Sequence, residues 1–257
     1  MIEFKHVVKK FNVGTPDETT LFEDFNLHVK KGQFVSVVGS NGSGKTTMLN
    51  LLCGTLPIDS GDIIVGDKNI TKMTEYARAR YIGRVFQDPQ KGGAANLTIL
   101  ENMALADNKN KIYSLGKAIS KKRIDCYKSL LENCHMGLED RLNVPVGSLS
   151  GGQRQALALV IANMSNIDIL ILDEHTAALD PKSSERIMEL TDVFVKENQI
   201  TTLMVTHNLR HAVSYGNRMI MMDKGHIILD RDGEEKENTT IDDVLHIFNE
   251  ISIECGN

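Results

Sequence analysis

The sequence predicts an α/β fold built on a mostly parallel sheet with a helical segment inserted into it. Three observations carry this reading. Residues 34–38 (FVSVV), 167–172 and 201–205 are nearly continuous apolar or β-branched runs, the pattern of strands buried on both faces. Helix-compatible stretches, at about residues 46–52 and 183–197, alternate with them as crossover helices do between parallel strands. Between about residues 88 and 148 the pattern turns helical, with periodic apolar positions over residues 124–131.

The other elements follow along the chain. Residues 2–8 mix apolar and polar positions like a half-buried strand, and Thr15-Pro16-Asp17-Glu18 reads as a loop. Residues 21–29 form a second strand, closed by a turn at Lys30-Lys31-Gly32. The buried run at 34–38 leads straight into Gly39. Short strands are predicted at 63–65 and 82–86. Residues 218–230 read as a hairpin turned by Asp223-Lys224-Gly225. A charged loop is predicted over 232–238. A last helix is expected near Thr240, where Thr240-Ile241-Asp242-Asp243 loosely matches a capping box. No internal repeat is visible, so the chain carries one cassette.

The bulk composition narrows the function classes. A chain of 257 residues suits one α/β domain with an inserted subdomain. A net charge of −5 and a pI near 5.9 do not give the basic face of a duplex-binding protein, so no nucleic-acid partner is expected. The one basic cluster, Lys121-Lys122-Arg123, reads as a solvated helix face. Cys53, Cys126, Cys134 and Cys255 show no CxxC spacing, which argues against zinc or a disulfide framework and fits a reducing cytoplasm. No run reaches the ~18 apolar residues of a membrane span, and the N-terminus lacks a signal peptide's apolar core. Any membrane role is therefore expected to come through a partner.

The chemistry begins at Gly39-Ser40-Asn41-Gly42-Ser43-Gly44-Lys45-Thr46, followed by Thr47. This matches GxxxxGK[ST] between a buried strand and a helix, the context that gives the motif meaning. Glycines let the backbone curl and aim its N–H groups at phosphate oxygens, and the helix adds its positive end. Lys45 is expected on the β- and γ-phosphates of ATP, and the Thr46 hydroxyl on Mg²⁺. A second constellation closes the strand at 169–172, where Asp173 and Glu174 face the ligand crevice at the carboxyl edge of a parallel sheet. Asp173 is expected to hold Mg²⁺, directly or through water, and Glu174 to polarise the attacking water as general base.

Between these two lies Leu149-Ser150-Gly151-Gly152-Gln153, the sequence LSGGQ, which chance supplies in only a few of about ten thousand chains of ordinary composition. Val85-Phe86-Gln87-Asp88 precedes it; Ala178-Leu179-Asp180 and Thr206-His207 follow the acidic strand. In this order the motifs closely resemble those of the ATP-binding cassette (ABC) ATPases, from about residue 2 to 230.

The resemblance implies a P-loop NTPase fold with an antiparallel β subdomain and a helical subdomain inserted at about residues 88–150. Residues 1–230 would form the nucleotide-binding domain and residues 231–257 a charged loop and helix. It implies that Phe11 stacks on adenine and that Gln87 completes the Mg²⁺ and water shell. His207 would contact the γ-phosphate and hold the water and Glu174 in line. Ser150, Gly151, Gly152 and Gln153 would clamp ATP held by the second copy of a homodimer, with helix-compatible sequence from Gln155 onward. Asp180 would couple the two sites across that interface.

The implied role is the ATP-driven motor of a bacterial importer, cytoplasmic and peripheral on the inner face of the membrane. Its partners would be a separate permease and, indirectly, an extracellular substrate-binding protein. Residues 91–98 (KGGAANLT) would lie under the permease. Two features depart from most relatives: His175 stands where proline is usual, and residues 154–163 are less arginine-rich. Together with the loop at 14–20 they resemble an importer subgroup labelled for aromatic amino acids. A soluble ABC ATPase of macromolecular assembly is the alternative; a regulatory module without turnover conflicts with the presence of both Glu174 and His207.

Overall fold

A computed structural model describes residues 1–109, 119–164 and 167–254. Cys255 lies outside them, as do residues 110–118 of the helical segment. The elements run β1 (Ile2–Phe11), β2 (Thr19–Val29), β3 (Phe34–Gly39), α1 (Lys45–Cys53), β4 (Ser60–Val65), β5 (Lys68–Asn69), α2 (Glu75–Arg78) and β6 (Ile82–Val85). A 3₁₀ turn (Pro89–Gly92) precedes α3 (Ile99–Asn108), α4 (Ile124–Glu132), α5 (Gly151–Asn163), β7 (Ile169–Asp173) and α6 (Pro181–Asn198). The chain ends with β8 (Thr201–Val205), α7 (Leu209–Ser214), β9 (Arg218–Asp223), β10 (His226–Asp232), α8 (Glu234–Glu237) and α9 (Ile241–Glu254).

The chain divides into two compact units, Met1–Ala79 with Asn198–Asn257, and Arg80–Glu197. The first holds two sheets. One is antiparallel, in the order β2-β1-β4-β5. In the other, β3 lies parallel between β8 and β9, with Val37 opposite Val205 on one side and Ile220 on the other. The antiparallel β9–β10 hairpin closes that side. All six residues of β3 and all five of β8 are buried, as expected of nearly continuous apolar or β-branched runs, with Ser36, Thr201 and Thr202 among them. Helix α1 buries Met48, Leu49, Leu51 and Leu52. Its last carbonyls, Leu51 O and Leu52 O, accept from the guanidinium of Arg78 at 2.6 and 3.0 Å. That buried arginine explains α2, a single turn the sequence pattern does not announce. Thr74 caps it, its side chain accepting from Ala77 N.

In the second unit β6 and β7 pair in parallel, Ile82 opposite Ile169 and Val85 opposite Leu172. Helix α3 starts at a full capping box. Thr98 Oγ1 accepts from Glu101 N, and the Glu101 carboxylate accepts from Thr98 N and Oγ1 at 2.7 and 2.8 Å.

One local expectation needs correction. The stretch 232–238 is not all loop: Gly233 breaks the strand and α8 forms one turn, because Lys236 is buried and donates its ammonium to Val213 O. The helix-compatible residues from Gln155 onward lie in α5, which starts at Gly151, where Ser150 and Gln153 close a capping box. The loose match at Thr240 is a working cap, with Asp243 Oδ2 accepting from Thr240 N at 2.8 Å and Asp243 N donating to Thr240 Oγ1 at 3.2 Å. Among the described residues no helix is long and apolar enough to cross a membrane.

The α3 cap sets a pH test. Bonds from the Thr98 backbone N–H, then from its hydroxyl, hold the Glu101 carboxyl below its usual 4.5. A carboxyl more acidic in the folded chain than in the unfolded one stabilises fully above the ordinary value. That contribution fades as pH falls through the lowered folded value. Glu101→Ala should therefore melt below the parent at about pH 7, and the gap should narrow below about pH 4.5. Thermal melts followed by circular dichroism across that range read this directly.

Candidate nucleotide site

The phosphate loop occupies the first unit, where β3 hands over to α1. Glycines 39, 42 and 44 take positive φ values of 151°, 79° and 104°. At Gly39 a Cβ would fall 2.1 Å from Met222 O, so no side chain fits. Helix α1 starts at Lys45 with Gly44 as its N-cap, which offers no side chain to cap the first N–H groups. Lys45 is buried, at 5 % exposure, and its ammonium donates to Gly39 O (2.8 Å), Ser40 O (2.7 Å) and Ser43 Oγ (3.2 Å). Ser40, Asn41, Gly42 and Thr46 are exposed, and Thr47 is half-buried.

A second set of contacts holds the loop from outside. The turn between β9 and β10 donates Gly225 N–H to Ser43 O at 3.0 Å, and Asp223 Oδ1 accepts from Ser40 Oγ at 2.9 Å. Gly225 has φ 83°, and a Cβ there would meet Leu21 O at 1.7 Å. Sequence reasoning marks Asp223-Lys224-Gly225 as a turn only; its link to a loop some 180 positions earlier leaves no local signature. His207 is exposed just past the end of β8, where Thr206 N donates to Val37 O at 3.2 Å. Parallel strands β3 and β8 thus bring His207 and the phosphate loop to the same sheet edge. Phe11 ends β1, half-buried, opposite Thr19, with Lys9 Nζ 5.5 Å from its ring centre.

The second unit gathers the remaining motif residues. Asp173 ends β7, and its Oδ2 accepts from the Arg84 guanidinium of β6 at 2.6 Å, both side chains 14 % exposed. The same guanidinium lies 4.8 Å from the ring centre of Phe86. Gln155 of α5, fully buried, donates to Phe86 O at 3.1 Å and pins the backbone one residue before the exposed Gln87. Arg84 and Gln155 contact motif residues and are omitted by the motif reading; an arginine within a predicted short strand was the available signal. Glu174 follows with φ 47°, a left-handed conformation uncommon outside glycine.

The LSGGQ segment packs against the turn leading into α6. A Cβ on Gly151 would sit 3.2 Å from Leu179 Cδ2, and one on Gly152 3.3 Å from Ser183 Cβ. Ser150 is exposed, while the Gln153 amide is engaged within the chain, accepting from Ser150 N (3.2 Å) and donating to Met136 O (3.2 Å). Asp180 caps α6, accepting from Ser183 N at 3.1 Å. Bonds from the Ser183 side chain, then its backbone, hold the Asp180 carboxyl below its ordinary value. In residues 91–98, Lys91, Ala94, Ala95 and Asn96 are exposed. His175 is buried against α6.

Hydroxyl, carboxylate and amide oxygens, the kinds of donor that Thr46, Asp173 and Gln87 carry, are the kinds that bind hard cations. No group of three or more His, Cys, Asp or Glu able to hold a metal occurs among the described residues.

The chain is similar to known proteins over most of its length. A family model described as "ABC transporter" matches residues 22–177. The chain is 44% identical over 248 residues to the tyrosine transport ATP-binding protein of Clostridioides difficile (strain R20291), covering 96% of this chain and 98% of that protein. It is similar to the dimeric post-hydrolysis state of the ATP-binding cassette MJ0796 bound to ADP and Pi, with 30% identity and a TM-score of 0.76 over 90% of this chain and 98% of that one. The ADP conformation of MJ1267, an ATP-binding cassette of an ABC transporter, aligns at 27% identity and TM-score 0.79 over 100% of this chain and 99% of that one.

The hairpin contacts set a test that leaves the loop sequence untouched. Asp223→Ala should weaken ATP binding about 3- to 10-fold, the effect of losing one hydrogen bond with a typical net worth of about 1 kcal/mol. Asp223→Asn, which keeps an oxygen for Ser40, should lose far less. Titration with a fluorescent ATP analogue measures both.

Proposed function

The chain belongs to the ABC transporter family, whose ATP-binding proteins are ATPases, and on that premise we propose that it is the motor subunit of a bacterial importer, driving a small solute of the amino-acid class through a separate permease. The observation that carries this reading is the match to a protein named for tyrosine transport, which runs nearly end to end in both chains. The chain would work on the cytoplasmic face of the membrane as a homodimer, with the permease as direct partner and an extracellular substrate-binding protein as indirect partner.

The residues divide the work. Phe11 offers a π-face to the adenine, which gives affinity with little base selectivity. The backbone N–H groups of residues 39–47 and the Lys45 ammonium take the phosphates. Thr46, Asp173 and Gln87 would hold Mg²⁺, which neutralises phosphate charge when bound. Glu174 orients and polarises the attacking water, and His207 holds the γ-phosphate and that water in line. Ser150 to Gln153 present a helix N-terminus to the nucleotide of the other copy, so that ATP closes the dimer and hydrolysis reopens it. The supporting geometry is the N-cap at Ser150 and the two glycines behind it, which pack closely against Leu179 and Ser183. Asp180, next to that packing, would couple the two sites.

Phosphate-release assays on purified variants test these roles. Glu174→Gln should lower turnover at least ~100-fold while ATP affinity stays within about threefold; normal turnover would mean that another group is the base. Ser150→Arg should abolish turnover yet leave ATP binding by a single chain intact. For the transport role, affinity capture from native membranes should recover an integral membrane permease. Recovery only in soluble complexes would replace the importer reading with an assembly ATPase.

A further inference from the structure

We propose that His175 is a positioning residue: its buried ring, hydrogen-bonded to Thr191 of α6, holds Glu174 in its left-handed backbone conformation. The inference rests on the reading of Glu174 as the general base. It assigns a function to a side chain that the motif roles leave unused.

The argument starts from the backbone. Glu174 has φ 47°, a region that β-carbon crowding makes sparse for residues other than glycine. Such a conformation persists only where its surroundings over-determine it. The turn Ala177 N to Glu174 O (2.9 Å) ties the residue on its C-terminal side, and Leu179 N to Thr176 O (3.2 Å) continues that turn. The side chain that anchors the turn is the next one along. His175 is 2 % exposed and Thr191, on the third turn of α6, is fully buried.

The hydrogen-bond directions can be assigned. Thr191 Oγ1 donates its single hydrogen to Ile187 O at 2.7 Å. Its contact with His175 Nε2 at 3.4 Å is therefore one in which the imidazole donates and the hydroxyl accepts. This fixes the tautomer with hydrogen on Nε2, and it fixes the ring plane. A residue pinned at its ring and buried has little freedom at its own backbone. The peptide it shares with Glu174 is then constrained from the C-terminal side. The Glu174 carboxylate, half-buried at the sheet edge, is aimed by that constraint rather than by its own rotamer alone.

The test separates positioning from mere packing. Thr191→Val keeps the volume and removes the hydroxyl that accepts from Nε2–H. It should lower kcat about tenfold, the kinetic equivalent of one lost hydrogen bond, with KM for ATP and binding of a fluorescent ATP analogue within about twofold. Thr191→Ser restores the hydroxyl and should recover turnover. His175→Ala should match Thr191→Val. His175→Gln, which can place an amide N–H near the Nε2 position, should recover most of the loss. A double variant, His175→Ala with Thr191→Val, should lose no more than either alone, since the two act through one bond. Circular dichroism at the assay temperature gives the folded fraction by which each rate is divided.

Unchanged kcat in Thr191→Val, or a loss that folded fraction alone accounts for, overturns the inference. So does failure of Thr191→Ser to recover. Glu174→Gln, assayed in parallel, distinguishes the two levels. If it turns over normally, the base assignment falls and takes this inference with it. If it is inactive while Thr191→Val is normal, only the positioning role falls.

Discussion

A buried ammonium group shapes the phosphate loop, and the rest of the nucleotide chemistry depends on that shape. Lys45 is almost fully covered, and a buried cation is tolerated only when its hydrogens are matched. Gly39 O, Ser40 O and Ser43 Oγ supply three acceptors, which forces the loop to curl around its own lysine. Ser43 N–H also donates to Ser40 O at 3.3 Å, so the loop is closed by its own backbone as well as by its lysine. Only a loop with glycine at its positive-φ positions can make that turn, and at Gly39 the carbonyl of Met222 excludes even a methyl group. The β9–β10 turn then fixes the loop's outer side through Ser43 and Ser40. A substitution in that distant hairpin is thus a substitution in the binding site.

The parts legible in the sequence are those whose physics is local. Strand β8 coincides with the residues 201–205 that its β-branched and aliphatic run marks, and β3 leads into Gly39 as read. The hairpin turns at Asp223-Lys224-Gly225, where Lys224 and Gly225 take positive φ. What escaped depends on partners far along the chain. Helix α2 forms around Arg78, whose guanidinium caps α1 more than twenty positions earlier. Helix α8 forms where charge density suggested a loop, because Lys236 reaches Val213. In the site, Lys45, Thr46, Asp173 and Glu174 are proposed from the residues themselves, while Phe11, Gln87, Ser150 and His207 rest on the family resemblance. Arg84, Gln155, Asp223 and Thr191 could be named from neither, since each acts on a motif residue through a contact that no short pattern encodes.

Several motif side chains also terminate helices, and magnitude separates the two jobs. Ser150 caps α5 and would clamp a partner's nucleotide. Losing such a cap costs about 1 kcal/mol of stability. Spread over a folded domain of ordinary stability, that leaves the protein almost wholly folded. A turnover loss of a hundredfold at Ser150 would therefore exceed anything the cap accounts for, and would belong to the chemistry. The same logic applies to Gly151 and Gly152. Their contacts with Leu179 and Ser183 are tight but to side chains, so a methyl group there displaces flexible atoms rather than backbone.

The acidic strand end shows how the fold prepares a carboxylate before any ligand arrives. Asp173 gives one oxygen to Arg84 in a nearly buried pair, and removing the arginine would strand a charge with little water to solvate it. Arg84 is itself held by the face of Phe86, whose carbonyl is held by Gln155 from the first turns of α5. The strand end, the start of the Gln87 segment and the helix behind LSGGQ are therefore one packed unit with fixed side-chain directions. Preorganisation of this kind lowers the reorganisation required when charge develops in a reaction, which is where electrostatic catalysis draws most of its effect. Asp173 and Glu174 differ in the means: an ion pair orients the first, and a strained backbone held from the residue behind it orients the second. Two neighbouring carboxylates can then serve different ends without competing for one direction.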